Sequence, residues 1–423
     1  MELLSQYGVY LIAVAALFGF IMAYGVGAND VANAMGTSVG SKALTLKQAL
    51  IVAAIFEAAG AWLAGGEVTS TIRSGIVDAA AFAEVPELLV YGMIGSLLAA
   101  GTWLLVASFY GWPVSTTHSI VGAIIGFASV GVGMDFVHWE KVTGIVGSWV
   151  VTPLLSGVMA FLLFMSAQRL IFDTENPLAA AKKYVPVYMV FAAFTMSYVT
   201  VTKGLKHVGF NLTTAEGIWI CLAFSVLVGV LGKIAIHRLK IDPEADREMH
   251  FTNVERIFAI LMIFTACCMA FAHGSNDVAN AIGPLAAVVG IIQSGGQILD
   301  EVTLDWWILP LGAIGIVIGL ATLGAKVIKT IGENITHLTP SRGFAAEIAA
   351  ASTVVMASGL GLPISTTQTL VGAVLGVGMA RGIAALNLGV IRNIFISWVV
   401  TLPIGALLSI IFFFSIQAIM SML

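Results

Sequence analysis

Long apolar runs separated by short polar breaks fill this chain from end to end. A helix that crosses a bilayer needs about 20 apolar residues. Runs of that order lie near residues 8–27, 46–66, 88–110, 115–134, 142–168, 185–203, 213–236, 256–290, 306–325, 343–360, 364–380 and 393–420. The pattern predicts an all-α polytopic membrane protein with about twelve crossings, the run at 256–290 being interrupted.

Composition agrees. Of 423 residues, 59% are hydrophobic and only 10% charged, and the mean hydropathy is +1.00. An ordinary soluble domain carries roughly 25% charged residues, so that class is excluded. The net charge of −4 sits in loops and sites, and no nucleic-acid partner is expected. Cys221, Cys267 and Cys268 fall inside apolar runs and are expected to be inert thiols. The start Met1-Glu2 lacks the basic stretch of a signal peptide, so the first run is expected to remain as a helix.

Basic residues give an orientation. With the N-terminus outside and alternating crossings, Arg73, Lys141, Lys203 and Lys206 fall outside and the other Lys and Arg residues inside. That asymmetry is the one cytoplasmic loops show.

The chain repeats itself. Gly27-Ala-Asn-Asp-Val-Ala-Asn-Ala-Met-Gly36 returns as Gly274-Ser-Asn-Asp-Val-Ala-Asn-Ala-Ile-Gly283, and Pro113-Val-Ser-Thr-Thr-His-Ser-Ile-Val-Gly122 as Pro363-Ile-Ser-Thr-Thr-Gln-Thr-Leu-Val-Gly372. Trp149-Val-Val-Thr152 recurs as Trp398-Val-Val-Thr401. Three matches in one order at nearly one offset indicate homologous halves, 1–170 and 255–423, joined by two crossings and a hydrophilic linker in 171–254. Five crossings per half and two between them put the halves in opposite orientations. Inverted repeats with interrupted or re-entrant helices mark secondary transporters, whose substrate sits near the midplane.

The repeated residues suit ions of both signs. A proline tolerates the first turn of a helix, where free N–H groups attract an anion, and the hydroxyls of Ser115, Thr116, Thr117, Ser365, Thr366 and Thr367 add donors. Capping and back-bonding are the bland alternative for these hydroxyls. Asn29, Asp30, Asn33, Asn276, Asp277 and Asn280 offer oxygen ligands to Na⁺ beside glycines that would let the backbone unwind. Glu57 and Glu347 are two further acids in apolar runs, and they line the pathway or bind a coupling cation unless each is a neutral buried acid.

None of these segments holds Lys or Arg, although four carboxylates would surround the anion. At an effective dielectric near 20, like charges about 5 Å apart repel by roughly 3 kcal/mol per pair. The anion can then enter only with cations or protons. Ser115 near His118 raises the possibility of a hydrolase, but Gln368 replaces the imidazole in the second copy, so no enzyme is expected. The other histidines are expected at interfaces or in loops, although His273 precedes the second Asn-Asp motif and is within reach of it.

Both Asn-Asp motifs, both Pro-Ser-Thr-Thr motifs, Ile55-Phe-Glu57 and Glu347 resemble the inorganic phosphate transporters of the PiT type across essentially both halves. The resemblance implies an inverted-repeat fold in the plasma or inner membrane, a homodimer with an elevator-like shift, and symport of phosphate with Na⁺. Proton coupling, or sulfate as cargo, is the alternative. It also implies Na⁺ at Asp30, Asp277, Asn29 and Asn276, phosphate at the hydroxyls, and a requirement for Glu57 and Glu347. No cofactor is implied. Gln368 departs from the histidine that many members carry, which puts in doubt any role that needs an imidazole in both halves.

Overall fold

The computed structural model describes residues 2–202, 212–240, 251–298, 304–328, 338–382 and 388–422. Its helices are α1 (Glu2–Gly40), α2 (Leu46–Ala64), α3 (Gly66–Ser74), α4 (Pro86–Tyr110), α5 (Thr116–Gly131), α6 (Trp139–Ala167) and α7 (Pro177–Thr202). They continue with α8 (Thr214–His237), α9 (Thr252–Gln293), α10 (Ile308–Thr322), α11 (Pro340–Gly359), α12 (Thr366–Arg381) and α13 (Leu388–Met420). One isolated bridge, Val77 to Val137, is the only extended pairing among the described residues.

Eight helices are long and apolar enough to cross a membrane: α1, α2, α4, α6, α7, α8, α9 and α13. The other four apolar runs form α5, α10, α11 and α12, which have 16, 15, 20 and 16 residues. Much of the linker, at 241–250, lies outside the described residues, as do Lys203 and Lys206.

The expected interruption of the 256–290 run is not there. Helix α9 is continuous for 42 residues and α1 for 39, so neither Asn-Asp motif unwinds. The glycines instead let helices approach. A methyl on Gly27 would lie 2.0 Å from the carbonyl oxygen of Ile316 in α10, and one on Gly274 would lie 2.2 Å from that of Glu57 in α2. Small residues at such crossings give backbone contact where lipid supplies no hydrophobic drive.

The breaks come at the Pro-Ser-Thr-Thr segments. Helices α4 and α11 stop just before Gly111 and Gly361, whose φ values of 70° and 69° suit glycine. The chain then runs extended, and Ser115 and Ser365 cap α5 and α12 by accepting from the N–H groups of His118 and Gln368. The two tips meet. Thr117 Oγ1 donates to the Ile364 carbonyl at 2.8 Å, and Thr367 Oγ1 to that of Val114 at 3.4 Å.

Contacts repeat between the halves. Helix α1 packs on α4 and α10 as α9 packs on α11 and α2, while α6 reaches the second half's α12 and α13 reaches the first half's α5. The halves are thereby interleaved, which puts α5, α12 and the middles of α1 and α9 at the centre. Exposed Trp219, Phe224 and Val230 on α8, and Val150, Leu154 and Val158 on α6, face outward as lipid contacts would.

Candidate functional site

All twelve Asn, Asp, Ser and Thr residues singled out from the repeats are buried, each at most 1% exposed. They form one intermeshed cluster, not separate cation and anion shells. Thr116 Oγ1 donates to Asp30 Oδ2 at 2.7 Å, and Thr366 Oγ1 to Asp277 Oδ2 at 2.7 Å. Amides cross between halves: Asn33 Nδ2 donates to Thr367 Oγ1 at 2.8 Å, and Asn280 Nδ2 to Thr117 Oγ1 at 3.2 Å. Asn29 Nδ2 donates to Ser108 Oγ and to the Trp112 carbonyl, as Asn276 Nδ2 does to Ser358 Oγ and the Leu362 carbonyl. Each motif is thus pinned by the loop that leads into a hairpin helix.

Several oxygens in this cluster have no donor: Asn33 Oδ1, Asn276 Oδ1, Asn280 Oδ1 and Asp277 Oδ1. Amide and carboxylate oxygens left over in a buried site are the ligand set a hard cation takes. The N–H groups of the first turns of α5 and α12 lack intrahelical acceptors and point the positive ends of two helices at the same centre. Both ion signs therefore find partners there.

His273 is neither interfacial nor in a loop; it touches the second Asn-Asp motif that it precedes. It is fully buried, with Nε2 3.0 Å from Asp277 Oδ2 and 4.0 Å from Asp30 Oδ2, and Nδ1 3.3 Å from Glu57 Oε1. Its spacing of four residues before Asp277 places both on one helix face, a signal available in the sequence. Asp30, His273 and Asp277 also converge closely enough to hold one metal ion.

Glu347 corrects the picture of four acids around one anion. It stands in its own hydroxyl cage, accepting from Thr37 at 2.5 Å, Ser38 at 2.8 Å and Thr265 at 2.6 Å. So three carboxylates and one imidazole share the centre, and the fourth carboxylate is held by neutral donors.

The cage and the His273–Glu57 pair have no counterparts in the other half. Glycine contacts match Gly27 and Ile316 to Gly274 and Glu57, which makes Ile316 the counterpart of Glu57 and Val26 that of His273. Stepping through the aligned motifs, Thr37, Ser38, Thr265 and Glu347 correspond to Pro284, Leu285, Phe18 and Leu97. The central Asn-Asp-Thr lattice is symmetric; the two glutamate sites are not.

Gln368 lies elsewhere. With His118, Trp149 and Trp398 it lines a cavity of about 680 Å³, mainly apolar, between α6 and α13. His118 Nδ1 lies 3.3 Å from the Trp398 carbonyl, and Ser115 Oγ accepts a backbone N–H, so no Ser-His pair is assembled.

A model of the phosphate transporter family matches residues 26–409. The chain belongs to that family. It is 58% identical to a Haemophilus influenzae protein assigned as a phosphate permease, over 99% of this chain and 100% of that one. It is 44% identical to the chloroplastic inorganic phosphate transporter 2-1 of Arabidopsis thaliana, over 94% of this chain and 70% of that one. A solved structure described as the sodium-dependent phosphate transporter superposes with a TM-score of 0.89 at 41% identity, covering 97% of this chain and all of that one. This phosphate-transporter family member is accordingly an integral membrane protein, and its family is one of transporters.

Proposed function

We propose that this family member imports inorganic phosphate by symport with Na⁺. The observation that carries the reading is the set of donorless oxygens at Asn33, Asn276, Asn280 and Asp277, in the lattice that also holds the paired helix N-termini. Asn29, Asp30, Asn33, Asn276, Asp277 and Asn280 seat Na⁺; once cations screen the acids, the hydroxyls of Ser115, Thr116, Thr117, Ser365, Thr366 and Thr367 turn toward phosphate. Glu57 acts through His273, and Glu347 through its hydroxyl cage. Gln368 stands outside this lattice and serves the lateral cavity. The substrate crosses by an elevator-like shift within the halves 1–170 and 255–423, in a homodimer.

Cotransport follows from charge. Three carboxylates with a single imidazole among them leave a negative centre, which an oxyanion enters only behind cations. Purified protein in liposomes with an imposed Na⁺ gradient is expected to concentrate labelled phosphate and to ignore excess sulfate. Uptake that needs only a pH gradient would remove Na⁺ from this scheme, and preference for sulfate would remove phosphate.

A further inference from the structure

A further cavity lies away from the buried lattice. It measures about 530 Å³ and is lined by Ser70, Ser74 and Arg73 of α3, Lys141 of α6, and Gly361 and Leu362 of the loop before α12. None of the residues lining it is acidic. Arg73 and Lys141 come from distant parts of the chain, and both fall on the side that the charge distribution assigns outside. Very few basic residues fall on that side, so the convergence of two on one cavity stands out from the background.

One stretch of the cavity wall, the loop at Gly361 and Leu362, also touches the lattice. Thr71 Oγ1 donates to the Gly361 carbonyl at 2.7 Å, fixing the loop against α3. The carbonyl of the next residue, Leu362, accepts from Asn276 Nδ2 at 3.2 Å. The loop then enters Pro363-Ile-Ser-Thr-Thr367, the segment that caps and opens α12. The loop that walls the cavity is therefore the same one that Asn276 holds against the lattice.

We propose that this cavity is an outer capture site for oxyanions of the phosphate class, with Lys141 supplying the attraction. The proposal rests on the phosphate reading above. A basic mouth raises the local concentration of an anion that the acidic centre would otherwise hold off. The attraction acts on the free substrate before cations are loaded, so its loss appears in the phosphate KM and leaves the maximal rate alone. Lys141 is exposed and makes no ion pair among the described residues, so changing it spares the fold.

The test is initial-rate phosphate uptake into cells that have no other phosphate uptake, at fixed Na⁺, with ionic strength varied by choline chloride. For a dianion roughly 10 Å from the lost charge at low salt, Lys141→Gln is expected to raise KM about threefold and Lys141→Glu about tenfold. Both effects are expected to shrink as choline chloride screens them, and Lys47→Gln, a change assigned to the opposite side, is expected to leave KM in place. An unmoved KM in Lys141→Glu, or an equal shift in Lys47→Gln, overturns the capture site while phosphate uptake by the parent stands. No phosphate uptake by the parent protein sinks the cargo reading, and the capture site with it.

Discussion

Removing both partners of the buried pair between His273 and Glu57 is expected to cost less than the sum of removing each alone. The imidazole lies 3.0 Å from Asp277, 3.3 Å from Glu57 and 4.0 Å from Asp30. At an effective dielectric near 20, a charged imidazole gains about 5.5, 5 and 4 kcal/mol from these before desolvation. Desolvation consumes most of that sum, and breaking a buried pair by deleting one member costs about 3–5 kcal/mol. His273→Asn strands three acids at once, so it should fall at the upper end. Glu57→Gln leaves the imidazole with Asp277 and should fall at the lower end. The double variant leaves no uncompensated Glu57, so it should recover about 2 kcal/mol relative to the sum of the singles. Denaturant unfolding of purified protein in detergent, at constant Na⁺, measures all four species. Additivity within about 0.5 kcal/mol would show that the two side chains are neighbours without coupling, and the assignment of Glu57 as a residue acting through His273 would fall.

Other consequences can be checked separately. Asp30→Asn and Asp277→Asn each delete a carboxylate that a bound cation would touch, and each should lower apparent Na⁺ affinity by about 100-fold or more in liposome uptake. Normal Na⁺ activation in both would misplace the cation site. Glu347→Ala leaves the hydroxyls of Thr37, Ser38 and Thr265 without their shared acceptor, so unfolding should become easier by about 3 kcal/mol; an unchanged midpoint would mean the cage does not hold the fold. Gly274→Val puts branched carbon against the Glu57 carbonyl, where even a methyl would lie at 2.2 Å. It should prevent accumulation of folded protein, and a normally melting variant would show that α2 and α9 can part freely.

The sequence was most legible where polarity contradicts its surroundings. Asp30 and Asp277 stand out because a carboxylate in an apolar run demands a reason, and duplication made that reason shared by both halves. Helix continuity was less legible. Glycine next to asparagine suits an unwound backbone and close packing alike; in α1 and α9 it serves backbone contact with Ile316 and Glu57, and composition does not distinguish those uses. The crossing pattern was blurred for a related reason: α5 and α12, with 16 residues each, are apolar because protein surrounds them, and hydropathy registers burial by protein and by lipid alike. His273 lies midway along α9, not near either end, and faces the motif rather than water. Its position one turn before Asp277 is the sequence signal for that contact.

The asymmetry of the glutamates constrains how the two halves share the work. If both Asn-Asp motifs had identical surroundings, exchange of the halves' conformations would carry the molecule between outward and inward states of equal energy. Here the first motif's Thr37 and Ser38 help hold Glu347, while their counterparts Pro284 and Leu285 can donate no side-chain hydrogen bond to an acid. His273 and Glu57 likewise sit where the mirrored crossing has Val26 and Ile316, both fully buried. A symmetric lattice with unsymmetric charge behind it would give two such states different electrostatic energies. Ions that bind the lattice can then shift that difference only through their unequal distances from the histidine and from the caged glutamate. Making the halves alike should therefore equalise the states: with His273→Val and Glu57→Ile together, the ratio of outward-facing to inward-facing molecules, measured by spin-label distances across the hairpin tips, should move toward one. A ratio unmoved by that double change would place the bias elsewhere in the molecule.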